Sequence, residues 1–228
     1  MGGKLHYVFD TNWSSSLAYA VGLITSDGYL RSDTAEINFT SKDYELVRLY
    51  RESLRISKKI RRNGTSGTSS RKYYTLRFKS RQLHTFLHSV GITSAKSKTI
   101  KSVTVPDDCF ADFVRGVFDG DGTFYTHWDT RWPNSFVFHI EIASASEQFI
   151  CWLQEQLQRL YGTKGFIKRG DGVFILRFAK GDTKILFDTM YYQIDIPFLE
   201  RKYRKIKDAL DFNDKLKQNT IHAAVAQW

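Results

Sequence analysis

Apolar and polar residues follow two different periods along this chain, and their order predicts the secondary structure. Largely apolar runs at 17–25 and 110–118 each end close to an Asp-Gly pair, as expected for buried helices that stop at a glycine. The stretch after the first run alternates with the period of two typical of a strand, which places Leu30, Ile37 and Phe39 on one face. We therefore predict a helix followed by a β-hairpin at both places.

This pattern is repeated in tandem. The segment LAYAVGLITSDGYL at 17–30 aligns with ADFVRGVFDGDGTF at 111–124, and two further segments, one of them containing LRF, recur in the same order after each copy. Chance similarity of two amphipathic helices would explain one match, but not three in the same order. The chain is therefore predicted to contain two copies of one structural unit.

The fold class that we predict is α+β, with two tandem pseudo-symmetric αββαββα repeats that each carry one antiparallel sheet. The inward positions of the hairpins are expected to form core, and they include Phe124, Trp128, Phe138, Ile140, Leu176 and Phe178. The expected boundaries are 12–92 for the first repeat, 93–106 for a Ser/Thr/Lys-rich linker, 107–212 for the second repeat with a C-terminal helix, and 213–228 for a tail.

Charge is the feature of the composition that says most about partners. The chain has 34 Lys and Arg against 24 Asp and Glu, a formal net charge of +10, which favours a polyanion such as nucleic acid or an anionic membrane over a neutral partner. No stretch approaches the ~18 apolar residues of a membrane span. The two cysteines show no metal-binding spacing and cannot form a disulfide framework, which fits a reducing, intracellular compartment, either cytoplasm or an organelle matrix.

Small residues recur every four positions on the first helix of each repeat, where they would let two helix backbones approach closely. The positions are Ala18, Gly22 and Ser26 in one helix and Asp112, Gly116 and Gly120 in the other. If these helices pack on a pseudo-twofold axis, Asp27 and Asp121 lie side by side. Adjacent carboxylates require protons, basic side chains or a divalent cation, and oxygen ligands favour Mg²⁺ or Mn²⁺. The alternative, in which each Asp only occupies a helix-end turn, does not explain why both repeats carry it.

The motifs GLITSDGYL and RGVFDGDGTF resemble the two signature motifs of the LAGLIDADG homing endonucleases in their single-chain, two-repeat form. DIPFLERKYRKI at 195–206 is also typical of the end of the second repeat in that family. The first motif departs from the pattern at Thr25 and Ser26, but the acid before the final glycine is present in both copies. The resemblance implies a site-specific double-strand DNA endonuclease with a long asymmetric target. Metal-dependent hydrolysis of both strands across the minor groove would leave 3′ overhangs.

The resemblance also implies a set of active-site residues. Asp27 and Asp121 would bind divalent cations, with the backbone carbonyls of Ser26 and Gly120 as supplementary ligands. Mg²⁺ is the expected ion, with Mn²⁺ as a substitute and Ca²⁺ supporting binding without efficient cleavage. The family places basic residues near the metals after the fourth strand of each repeat, which suggests three candidates here: Lys79, Arg81 and Lys180.

Two sheets packed side by side would present their outward residues to the major groove of duplex DNA. These predicted DNA-binding residues are Tyr29, Arg31, Asp33, Glu36, Asn38, Thr40, Lys59, Arg61, Tyr73, Thr75, Arg77, Thr123, Tyr125, His127, Asp129, His139, Glu141, Lys168 and Arg177. The basic, Gly/Ser-rich segment 58–74 would hold phosphate at a hairpin tip. A sheet that merely faces solvent would also be polar, so this pattern alone leaves both interpretations open.

The predicted partner is double-stranded DNA, bound by a monomer that has no membrane association. An alternative is a catalytically inactive nucleic-acid binder, such as an intron RNA maturase whose partner is the host intron RNA. Both would keep the basic surface. The two aspartates favour the nuclease, because a binder gains little from two carboxylates next to phosphate.

Overall fold

The computed structural model describes residues 9–64, 72–132 and 135–225. The elements of the first repeat are α1 (Ser15–Asp27), β1 (Gly28–Leu30), β2 (Glu36–Ser41), α2 (Tyr44–Ser53), β3 (Arg61–Gly64), β4 (Lys72–Lys79) and α3 (Arg81–Ser89). After a 3₁₀ turn at Asp107–Cys109, the second repeat contains α4 (Phe110–Asp121), β5 (Gly122–Trp128), β6 (Phe136–Ser144), α5 (Glu147–Tyr161), β7 (Phe166–Arg169), β8 (Phe174–Phe178) and α6 (Lys180–Met190), and α7 (Glu200–Val225) follows.

The two repeats form two separate four-stranded sheets with the same topology. Their strand orders are β1-β2-β4-β3 and β5-β6-β8-β7, and every pairing is antiparallel. The predicted α+β class and the tandem αββαββα arrangement are therefore confirmed.

Each motif helix passes directly into the first strand of its sheet. The side chain of Ser14 caps α1 by accepting a hydrogen bond from the N–H of Leu17. Gly28, at the other end, has an extended backbone rather than a left-handed one. Glycine is needed here for space, because a Cβ at Gly28 would lie 2.7 Å from the Cα of Ile24. The Asp that precedes Gly28 is consequently held where helix and sheet meet.

The helices pack on the inward faces of the two sheets, and the predicted core is largely confirmed. Phe124, Phe138 and Leu176 are among the buried residues. Trp128 is the exception, because it is 46% exposed and contacts Phe136 and Phe212 beyond the edge of the core. Trp128 is the last residue of β5, and its partner Phe212 on α7 is itself 43% exposed, so this end of the sheet is only partly covered.

The segment between the repeats, which the composition predicted to be a linker, is packed against the protein. Ile92, Ile100 and Val103 are buried, and Ser146 donates a hydrogen bond to the carbonyl of Ile100 at 2.5 Å. Lys96, in the same segment, is only 5% exposed. The apolar residues attach the segment to the core, and this attachment carries Lys96 beneath the helix ends.

Candidate active site

The two motif helices cross at their glycines. A Cβ on Gly22 would lie 2.2 Å from the carbonyl oxygen of Phe113, and a Cβ on Gly116 would lie 2.2 Å from that of Tyr19. Real side-chain atoms do not occupy such distances, so only glycine allows this approach. The predicted packing through small residues is thus what the structure contains.

This crossing brings the ends of both motifs together. A Cβ on Gly120 would lie 1.9 Å from the Oγ of Ser26 and 3.7 Å from Oδ2 of Asp27. Asp27 and Asp121 are both accessible at the surface. Partial desolvation raises the pKa of Asp121 to about 6; repulsion from Asp27 adds to this, while Lys96 and Lys202 oppose it. Desolvation also raises the pKa of Asp27. The site therefore concentrates negative charge that a cation would stabilise.

Two lysines that the sequence interpretation missed flank the acid pair. Lys96 donates to the carbonyl oxygens of Gly28 at 2.7 Å and Ser26 at 3.4 Å. Lys202, on α7, donates to the carbonyls at the end of α4, including that of Gly122 at 2.6 Å. Burial lowers the pKa of each ammonium group to about 8, against the attraction of the two aspartates.

A buried carboxylate fixes the start of α7 and hence the placement of Lys202. Oδ2 of Asp119 accepts hydrogen bonds from the hydroxyl of Tyr19 and from the N–H of Leu199, both at 2.8 Å. These contacts join α1, α4 and the residue just before α7. Lys202 follows three positions later, one helical turn from the anchored backbone.

The basic residues expected after the fourth strands do not approach the aspartates. Lys79 pairs in register with Glu36 near the hairpin end of the first sheet, and Arg81 is exposed at the start of α3. Lys180 donates to the carbonyl of Phe136 at 2.9 Å. Phe136 lies opposite the last residue of β5, about 20 Å along that strand from the helix end. The reason is topological, since β4 and β8 run away from the aspartates.

The donor set suits a hard divalent cation. Two carboxylates stand next to the carbonyls of Ser26 and Gly120, although these carbonyls are also near the ammonium groups of Lys96 and Lys202. Within the described ranges, no group of three or more His, Cys, Asp or Glu could hold a metal ion. Mg²⁺ does not require such a group, because it keeps several waters and often binds one or two carboxylates together with substrate phosphates.

The outward residues predicted to contact DNA share one face of each sheet. On neighbouring strands of the first sheet, Tyr29 lies opposite Asn38, which lies opposite Arg77. In the second sheet, Thr123 lies opposite Glu141, which lies opposite Arg177. Thr75 and Glu141 lie on these faces but are covered by their neighbours, with 5% and 8% exposure. Most of the remaining residues of the set are partly or fully exposed: Arg31, Asp33, Glu36, Thr40, Lys59, Arg61, Tyr73, Tyr125, His127, Asp129, His139 and Lys168.

The predicted phosphate-binding loop is only partly covered by the structure, because residues 65–71 lie outside the described ranges. Its flanking residues Lys59 and Arg61 are exposed, and Arg61 pairs in register with Thr75 on the outward face of β4.

None of the helices within the described ranges combines the length and apolar composition needed to cross a membrane.

The comparisons with known proteins agree with this architecture. The family model described as a LAGLIDADG-like domain matches residues 15–91, which is nearly the whole first repeat. The complete two-repeat arrangement is the fold of the single-chain LAGLIDADG homing endonucleases. The resemblance seen in the sequence motifs is therefore confirmed. No curated protein sequence matches the chain.

Three solved structures illustrate the likeness. The homing endonuclease I-WcaI bound to its DNA recognition sequence has a TM-score of 0.60 at 11% identity, covering 83% of this chain and 85% of that one. Full-length DUF199/WhiA from Thermatoga maritima has a TM-score of 0.57 at 14% identity, covering 95% and 70%. I-DmoI in complex with DNA and Ca has a TM-score of 0.51 at 16% identity, covering 78% and 90%, and I-DmoI has also been solved with Mn and in the presence of Mg. Identities this low establish the fold alone.

Proposed function

We propose that this protein is a site-specific, divalent-metal-dependent DNA endonuclease that acts as a monomer and cuts both strands of a long asymmetric target. The observation that carries the proposal is the meeting of Asp27 and Asp121 at the ends of two crossing helices, between Lys96 and Lys202. The solved complexes of I-DmoI with DNA and Ca or Mn support the same partner and the same kind of ion.

The chain's own residues have separate roles in this proposal. Asp27 and Asp121 would hold the cation, with Ser26 and Gly120 offering backbone oxygens. When bound, the cation would activate water for attack at phosphorus and neutralise charge on the phosphodiester. The ammonium groups flanking the acid pair can donate hydrogen bonds to phosphate oxygens as negative charge develops there. A pKa of about 8 also allows each Nζ to take up or release a proton near physiological pH.

The principal alternative is a nucleic-acid binder without catalysis. The WhiA match shows that this fold also occurs in a protein whose name does not describe a nuclease, so the fold by itself does not decide the activity. A binder would need the basic reading faces but not two adjacent carboxylates at the centre of a phosphate-binding surface. The retained aspartates, with a lysine on either side, support the nuclease.

A selection on randomised or genomic duplex DNA tests the proposal. The protein is first allowed to bind DNA in Ca²⁺, Mg²⁺ is then added, and the released ends are sequenced. Asp121→Asn is carried through in parallel. We expect staggered ends from one long asymmetric site with the wild-type protein, and enriched but uncut DNA with the variant, because loss of one carboxylate reduces repulsion from phosphate.

Two results would count against the nuclease. Enrichment of one sequence without Mg²⁺-dependent ends would indicate the binder, and RNA from the host locus would be the next ligand to test. Cleavage by Asp121→Asn at the wild-type rate would show that the paired carboxylates are not the metal site.

A further inference from the structure

The second sheet holds one arginine on its reading face more closely than the first sheet holds the equivalent residue. Arg77 and Arg177 occupy matching positions, since each is the arginine of an LRF segment on the third strand of its sheet. The residue directly opposite on the neighbouring strand is Asn38 in the first repeat and Glu141 in the second. The repeats therefore differ in charge at one equivalent position.

Arg177 is held from both sides. Its Nε donates to Oε1 of Glu141 at 2.5 Å, and Nη2 forms an ion pair with the same oxygen. On the other side, Phe166 of β7 pairs with Arg177 in register, and the centre of its ring lies 5.8 Å from the guanidinium carbon. His139 approaches the same carboxylate oxygen at 3.6 Å. With these neighbours, 29% of the Arg177 side chain remains exposed.

Arg77 has looser surroundings. Its nearest carboxylate is that of Glu36, 3.6 Å from Nε, and 55% of its side chain is exposed. The strand on its other side pairs with β4 only as far as Thr75, two residues before Arg77. The same residue type at the same position is thus oriented by its neighbours in one repeat and much less so in the other.

The contacts of Arg177 leave its guanidinium ready for one further partner. Glu141 faces the Nε side of the guanidinium, and within the described part of the chain the two parallel N–H groups at the end of the fork, one on each terminal nitrogen, have no further hydrogen-bond partner. This pair of donors matches O6 and N7 of guanine in the major groove. Thr123 lies opposite Glu141 and only two residues after Asp121, about 7 Å along the strand. Thr123, Glu141 and Arg177 form one row across the strands, and this row would therefore face the inner end of the half-site contacted by the second sheet.

We propose that Arg177, oriented by Glu141, reads a guanine at an inner position of the half-site contacted by the second repeat, and that the equivalent position under the first repeat is read less strictly. The inference rests on the proposed function in DNA binding. Arg177 is the specificity-determining residue, and Glu141 is a positioning residue. A carboxylate on a DNA-facing surface repels phosphate and so reduces affinity for DNA. The role that we assign to Glu141 is therefore to orient the guanidinium of Arg177. A simple cross-strand ion pair, in contrast, would have no effect on base preference.

The test is a binding selection on randomised duplex DNA in Ca²⁺, which needs no cleavage. Wild type, Arg177→Lys and Glu141→Gln are compared, with Arg77→Lys as the matched control at the equivalent position. We expect Arg177→Lys to lose about 5- to 150-fold of preference for guanine at a single inner position, the range that one bidentate contact provides. Glu141→Gln should lose part of the same preference while binding random duplex at least as tightly as wild type. A damaged fold could not produce that combination.

A second variant tests whether a carboxylate can create guanine preference under the first repeat. Asn38→Glu places the second repeat's carboxylate opposite Arg77, and we expect it to raise guanine preference at the pseudo-symmetric position. The inference would be overturned if wild type selects a defined site whose bases are unchanged by Arg177→Lys, or if Glu141→Gln weakens binding to all sequences equally. Failure of wild-type protein to enrich any duplex would instead refute the proposed function itself.

Discussion

At the scale of single residues, the candidate site includes two lysines from segments that are distant from the motifs in the sequence. Lys96 lies between the repeats and Lys202 lies on the last helix, yet both ammonium groups bind carbonyls at the ends of the motif helices. Charge and burial explain why they are there. Each lysine partly compensates for the two aspartates, and each loses some of its hydration in doing so.

We predict that lysines beside the aspartates affect the rate of cleavage and that lysines distant from them do not. Lys96→Met or Lys202→Met should slow cleavage about 100-fold or more, the size of effect typical for removal of a group that stabilises developing charge. Lys79→Met and Lys180→Met, which change residues distant from the aspartates, are the matched controls and should cleave at nearly the wild-type rate. Single-turnover cleavage of the selected site measures this. Equal loss in all four variants would show a general effect of charge on DNA binding.

The raised pKa of Asp121 predicts how the metal-free protein responds to pH. Because the folded-state pKa is about 6 and the ordinary value is near 4, ionisation of Asp121 opposes folding, and its unfavourable effect develops as pH rises from about 4 to 6. Asp121→Asn should therefore be more stable than wild type at pH 7, and the difference should disappear below pH 4. Thermal unfolding in chelator across this range measures it. A difference that grows at low pH would contradict the assignment.

The same pKa also predicts the pH dependence of metal binding. Cations bind the carboxylate and not the acid, so affinity for Mn²⁺ should fall as pH drops below about 6, by up to tenfold per unit. Titration calorimetry with Mn²⁺ at several pH values measures the effect. Constant affinity between pH 5 and 7 would mean that Asp121 is not a ligand.

At the scale of elements, the crossing of α1 and α4 positions the chemistry. Each helix ends at an aspartate, and the glycines at the crossing allow the ends to meet. The topology of each sheet then sends β1 and β5 directly away from those ends. The candidate active site and the outward faces of the two sheets are consequently joined directly through the backbone.

The close crossing predicts that a substitution favoured by helix propensity lowers the stability of the protein. Alanine is intrinsically the better helix former, yet Gly22→Ala should destabilise the protein by about 1–3 kcal/mol, because its Cβ would meet the backbone of the facing helix. Gly181→Ala is the matched control, since a Cβ there meets nothing within 4 Å. It should be neutral or stabilising by up to about 1 kcal/mol. Urea denaturation distinguishes the two, and equal effects would contradict the close packing.

At the scale of the whole molecule, two pseudo-symmetric sheets carry different side chains on one basic protein. The net charge of +10 favours any duplex, while the differences between the faces, such as Asn38 against Glu141, provide the means to select an asymmetric one. In the proposed function, general attraction and sequence selection would thus come from different residues.

The charge predicts a steep dependence of DNA binding on salt. With about six phosphate contacts, affinity should fall about a thousandfold between 50 and 200 mM salt. Lys59→Gln, at the exposed edge of the first sheet, should reduce the slope by about one unit. Arg48→Gln should leave it unchanged, because Arg48 is paired with Glu45 and Glu52 on α2. A flat response would argue against an interface dominated by phosphate.

Much of this arrangement can be predicted from the sequence because it is periodic or repeated. Alternation identified the strands and assigned residues such as Leu30 and Phe39 to the core. Recurrence of the motif identified the two helices that pair, and the spacing of Gly22 and Gly116 predicted their close approach. Trp128 was assigned wrongly, because alternation predicts the face of a strand but not how completely that face is covered at the end of the strand.

The sequence by itself therefore determined the repeats, the paired helices, the two aspartates and the polar faces, since all of these are encoded locally along the chain. Only the tertiary structure decided which basic residues lie beside the ends of the motif helices and which arginine is held by a neighbouring carboxylate. Lys96, Lys202 and the Glu141–Arg177 pair depend on how distant segments pack. The one sequence signal for Lys96 is the set of apolar residues around it, which the linker prediction did not take into account and which the structure shows to be buried.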